Sequence, residues 1–166
     1  MIKLEDLFYI LGIFLGLFSV TLPWCTIIVH VDNDIWIKED LYLFNDKISL
    51  YLVIMIFLLL YLITISANVI LRGRNHILPL LGFIFLTISE ILFYFVTNTY
   101  TINLALELAY SAAEETGKDS FTIIMLGGGA YLNIISTVIS GLGLLLSIKE
   151  KENYLVNNDA RTAFAE

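Results

Sequence analysis

Polar residues interrupt this chain rarely and in clusters. Residues 7–29, 48–71, 77–97 and 121–148 form four long apolar stretches, and Glu90 is the sole charged side chain inside them. Each is long enough to cross a bilayer, because about 20 apolar residues at a 1.5 Å rise match a hydrocarbon core roughly 30 Å thick. The pattern predicts transmembrane helices over about 5–23, 48–71, 77–97 (with an extension toward 116) and 121–148. The expected fold class is an all-α membrane protein, a four-helix antiparallel bundle in a single domain over 1–166. The first segment opens Met1-Ile2-Lys3-Leu4-Glu5-Asp6, where acids outnumber the lysine, and no small-x-small cleavage site follows. It is therefore expected to stay attached as helix 1.

The connections between the runs carry a second pattern. Within 24–47, Thr26–Val31 and Ile35–Lys38 are β-branched and aromatic around Asp32-Asn33-Asp34, a hairpin signal. A third short strand is expected at Leu41–Phe44. Pro23 marks where helix 1 should bend or stop, since the residue before a proline avoids the helical region. The expectation is a small antiparallel sheet from the first outer loop, seated on the outer mouth of the bundle. Between 98 and 120 the helical spacing of Ile102, Leu106, Ala109, Tyr110 and Ala113 competes with alternation at Leu104, Leu106 and Leu108; alanine content favours a helix ending near Gly117. The segment 72–76 suits a tight helical hairpin. Residues 149–166 read as a polar tail, helical near Tyr154 and disordered beyond.

Charge supplies an orientation. Lys3, Arg72, Arg74, Lys149, Lys151 and Arg161 flank the runs on one side; Lys38, Lys47 and Lys118 lie in the two long connections. Both termini and the 72–76 turn should be cytoplasmic in a cell-membrane protein. The outer segments hold five acids against two lysines and four against one, a net charge of −3 each. Trp24 and Trp36, with Tyr51, Tyr94 and Tyr100, are expected as interfacial anchors.

Inside the runs, small and polar residues mark packing faces. Gly129, Asn133, Ser136, Ser140, Gly143 and Ser147 recur every three or four residues, and Gly12, Gly16 and Ser19 do so in helix 1. Lipid gives no hydrophobic drive for helix association, so close approach must supply contact energy. Helices 1 and 4 should meet along these stripes, with Gly12 opposite Gly143 and Gly16 opposite Ser140; alternatively one stripe is an oligomer interface. Helix 2 reads as a lipid-facing wall. Gly127-Gly128-Gly129 lacks the lysine and Ser/Thr of a phosphate-binding loop, and close approach or local flexibility explains it better.

Glu90 invites a chemical reading. A carboxyl at membrane depth is costly and by default marks function. With no cation at its depth it is expected to be neutral at pH 7. Counting residues from the inner ends places Asn133 and Ser19 at its level, and a Glu90–Asn133–Ser19 cluster is expected, either a proton or cation relay or a register pin. His30 and His76 fall on opposite sides and cannot share a metal. Asp32 and Asp34 read as turn residues, since an EF-hand would need a glycine where Ile37 stands. Cys25, the only cysteine, excludes an internal disulfide. No catalytic set, metal cluster or cofactor motif is present, and a non-enzyme without cofactors is expected.

The layout resembles the claudin-like tetraspan group. Four helices, internal termini, a β-rich first outer loop with Trp24 and Trp36, a short inner turn and a long third helix carry the likeness. The loop has neither the claudin Gly-Leu-Trp nor a cysteine pair, so the resemblance is one of architecture. The expected role is a scaffold, adhesion protein or structural subunit of a membrane assembly. Its expected partners are the lipid bilayer and further copies or other membrane proteins, with no nucleic acid. A small transporter or proton-coupled subunit using Glu90, and an accessory subunit of a larger complex, are the alternatives.

Overall fold

The structure, a computed structural model, describes residues 3–32, 34–43, 50–71 and 77–163, except for the side chains of Leu50 and 152–163. Helix α1 (Leu4–Thr21) opens with Asp6 accepting the Lys3 backbone N–H at 3.2 Å. It ends where expected: Leu22 is extended (φ −100°, ψ 155°), as the Pro23 ring demands. Strands β1 (Cys25–Val31) and β2 (Asp34–Leu41) form the expected hairpin, with Asp32 at φ 51° in the turn. Two apolar helices follow, α2 (Leu50–Ile70) and α3 (Ile77–Val96). A π-helical turn at Thr97–Thr101 carries α3 on into α4 (Ile102–Thr116). Gly117, left-handed at φ 66°, stops α4, and its N–H reaches Ala113 O at 2.8 Å. Strand β3 (Ser120–Leu126) and helix α5 (Gly128–Ala163) complete the chain. The 72–76 turn with His76, and Phe44, lie outside the described residues.

The molecule is mostly helical, with four helices long and apolar enough to cross a membrane: Leu4–Thr21, Tyr51–Ile70, Ile77–Thr116 and Gly128–Lys151. Helices α1 and α5 pack most extensively, followed by α2 against α3. The sheet is antiparallel with strand order β2-β1-β3. Cys25, Ile27, Val29 and Val31 fill its inner face, against which α4 packs. Ser120 Oγ donates to Ala109 O at 2.7 Å and Thr122 Oγ1 to Ala105 O at 3.3 Å, fastening β3 to α4.

Several expectations change. The third strand is Ser120–Leu126, a segment assigned from sequence to the start of the last helix. Its apolar run is continuous with the helix behind it, so hydropathy alone could not separate them; pairing with β1 decides. The last helix accordingly begins at Gly128 and runs to Ala163, well past Tyr154. Helix α2 is no lipid-facing wall: Tyr51, Ile54, Leu58, Tyr61 and Ile65 are all fully buried. The two expected anchors Trp24 and Tyr51 are buried too, whereas Trp36, Tyr94 and Tyr100 are exposed. Trp24 is held inside because its indole N–H finds an acceptor there, Ser19 O at 2.7 Å.

Candidate functional site

The small-residue stripes of α1 and α5 do meet, one helical turn away from the register expected. Ser136 Oγ donates to Gly12 O at 2.9 Å, and a Cβ on Gly16 would lie 3.7 Å from Ser136 Oγ. Gly143 faces Tyr9 and Phe8 rather than Gly12. At one end the seam is closed by Lys3, whose Nζ lies 2.5 Å from Glu150 and 3.6 Å from Glu5. At the other, Gly127 N–H and Gly129 N–H donate to Trp24 O and Pro23 O, each at 2.9 Å. These end contacts set the register, which counting from the ends of charge-free runs could not supply.

Tyr61 of α2 reaches into this seam. Its hydroxyl lies 2.7 Å from Ser140 Oγ and 3.3 Å from Ser136 Oγ. Gly12 makes the room: a Cβ there would stand 2.7 Å from the Tyr61 hydroxyl and nearer still to Ser140 Oγ. The stripe therefore serves a buried hydrogen-bonded node joining three helices, as well as close helix approach. At the Gly127-Gly128-Gly129 run, a Cβ on Gly129 would fall 2.6 Å from both Ser19 O and Trp24 Nε1. Close approach is the reason for that glycine.

Glu90, Asn133 and Ser19 do not form one cluster. Ser19 Oγ turns back to Gly16 O at 2.7 Å. Asn133 Nδ2 donates to Ser89 Oγ at 3.4 Å. Glu90 is hydrogen-bonded instead to Thr137, which also reaches Asn133 O at 3.1 Å. Thr137 sits one turn from Asn133 on α5, and the same slip that shifted the seam hid it from depth counting.

Glu90 and Asn133 do share a cavity of about 400 Å³ between α3 and α5. Trp24 and Phe93, ring centroids 5.0 Å apart edge to face, form an aromatic wall. Tyr94, Leu126 and Ile134, all exposed, form the rim, so the cavity opens on the flank of the bundle. The amide assignment of Asn133 follows from its neighbour. Ser89 has one proton and gives it to Leu86 O at 2.7 Å. The atom facing Ser89 must then be the donor Nδ2. Asn133 Oδ1 is left buried and without a hydrogen-bond partner among the described residues.

The remaining candidates sit apart from this site. His30 stacks on Phe121 at 4.8 Å, nearly parallel. Cys25 is buried, and burial pushes its thiol up to about 11. Asp32 pairs with Lys118 at 2.6 Å, tying the β1–β2 turn to the approach to β3, and this hydrogen bond raises the lysine's pKa. Among the described residues no group of three or more His, Cys, Asp or Glu could hold a metal ion.

No protein-family profile matches this chain, and no curated protein matches it either. Four apolar helices and a small sheet are compatible with a tetraspan architecture, and the likeness to claudins rests on that architecture alone.

Proposed function

We propose that the protein is a multi-pass membrane protein with both termini cytoplasmic, acting without catalysis as a scaffold, adhesion protein or structural subunit. The sheet and α4 would stand on the outer side. Supporting the membrane placement, the bundle turns large apolar side chains outward, among them Phe14, Phe18, Ile63, Ile91, Val138 and Leu145.

The observation that carries the contact role is the second face of the sheet. Cross-strand partners share a face, so the pairings place Ile28, Ile35, Phe121, Ile123 and Met125 together, away from α4. Ile35 and Met125 are more than half exposed. Apolar patches beyond the membrane belt mark contact surfaces. Purification in mild detergent followed by mass measurement tests this: a stable homo-oligomer or stoichiometric partner is expected, and Ile123→Glu should release it. A monodisperse single chain, unaltered by Ile123→Glu, would sink the reading. The cavity beside Glu90 favours a second reading, a small transporter or proton-coupled subunit, for which Glu90→Gln should abolish flux in proteoliposomes.

A further inference from the structure

The Glu90 cavity has a definite chemical polarity. Its polar lining holds two acceptors, the Glu90 carboxyl and Asn133 Oδ1, beside the Thr97 hydroxyl and the Asn98 amide, and Asn133 Oδ1 is buried without a partner among the described residues. Asn133 itself is 1% exposed. A buried acceptor with no donor is costly to leave unmade. Among the described residues no lysine, arginine or histidine lines the space, so none of them gives Glu90 a countercharge there. Nor can Thr137 meet the need fully, since its single proton is shared between Glu90 and Asn133 O. The walls add the aromatic surfaces of Trp24, Phe93 and Tyr94, which attract cations through their ring faces. At about 400 Å³ the space falls within the range of small-ligand sites.

From this juxtaposition of a carboxyl without a countercharge among the described residues, an orphaned amide oxygen and an aromatic wall, we infer that the cavity binds a lipophilic primary or secondary ammonium. Two N–H donors on one nitrogen satisfy Glu90 and Asn133 Oδ1 together. The apolar body leaves through the rim at Tyr94, Leu126 and Ile134. A quaternary ammonium carries the charge but no N–H donor, so the site distinguishes it from a primary one. This site is separate from the outer sheet face and does not depend on the scaffolding role.

The test uses the full chain reconstituted in nanodiscs of a zwitterionic lipid, with empty nanodiscs as the partition control. The probes are radiolabelled dodecylamine, dodecyltrimethylammonium and dodecanol at pH 7. Dodecylamine should bind saturably at one per chain, and the other two at least about tenfold more weakly, the worth of charge-assisted hydrogen bonds. Glu90→Gln, which keeps a hydrogen-bonding partner for Thr137, should weaken dodecylamine by a similar factor. Ile134→Trp, at an exposed rim position, should block entry while leaving thermal stability unchanged. Equal uptake of the three probes by the wild-type chain, uptake no greater than by empty nanodiscs, or undiminished binding by a folded Glu90→Gln protein would each overturn the inference.

Discussion

Gly129 and its neighbour Gly128 differ in what surrounds them, and the difference is measurable. A Cβ on Gly129 meets the Ser19 carbonyl and the Trp24 ring, whereas on Gly128 its nearest neighbour is the flexible Leu22 side chain at 3.3 Å. Overpacking of this kind costs about 1–3 kcal/mol. Gly129→Ala should lower the midpoint of thermal unfolding in micelles, and Gly128→Ala should leave it nearly unchanged. At Tyr61, removal of the hydroxyl takes away the 2.7 Å hydrogen bond to Ser140 and leaves Ser136 only its bond to Gly12 O, and Tyr61→Phe should cost about 1 kcal/mol in the same measurement. Cys25 offers a pH test. Only the thiolate reacts, and burial holds the thiol up to about 11. Maleimide labelling at pH 8 should therefore be slow in the folded protein and fast in SDS, with the folded rate climbing as pH approaches 11. Rapid labelling of the folded chain at pH 8 would contradict the buried placement.

At the scale of elements, the π-helical turn at Thr97–Thr101 sets how α4 meets the sheet. Its Thr101 is buried and lies 3.1 Å from the Tyr51 hydroxyl. A π turn already accommodates one residue more than an α-helix would, so a deletion is absorbed there, whereas inserting one residue after Thr101 rotates α4 by about 100° relative to α3. That would carry Ala105 and Ala112, both buried, off the sheet and part Ser120 and Thr122 from their carbonyl acceptors. Insertion of one alanine after Thr101 should accelerate amide exchange across β3 by orders of magnitude while leaving α1 protected. Uniform protection in the variant would mean that β3 does not depend on α4. The element least visible beforehand was β3: Phe121-Thr122-Ile123-Ile124-Met125-Leu126 has strand composition, but it abuts an apolar helix and merged with it. Helix α2 hid a different signal. Tyr51, Ile54, Leu58, Tyr61, Ile65 and Asn68 are spaced three and four apart and all are buried. That stripe, with its two tyrosines and an asparagine, was present in the sequence, masked by a background apolar on every side.

Across the whole molecule, the two ends of the bundle differ in what closes them. Lys3 and Glu150 meet at one end, and the sheet covers the other through Trp24, whose backbone N–H donates to Leu41 O at 2.8 Å. The proposed orientation predicts that cysteines introduced at Asp34 and at Arg161, in a Cys25→Ser background, label from opposite sides of sealed cells. Asp34 should react with an impermeant maleimide from outside, and Arg161 only after permeabilisation. Labelling of both from one side would reverse or abolish the topology.

The count of apolar helices, the hairpin after Pro23 and the helical extension ending at Gly117 followed from the sequence, because chain length, β-branching, proline and glycine act locally. The seam between α1 and α5 was legible as a pair of small-residue stripes for the same reason. Its register was not, because that depends on contacts at both ends between residues more than a hundred positions apart. The same holds for the site. Glu90 stood out as a lone charge in an apolar run, but its partner Thr137, the orphaned Asn133 oxygen and the Trp24 wall come together through packing of α3 on α5. The four apolar runs specified a bundle, and a slip of one helical turn within it decided which polar groups share a cavity.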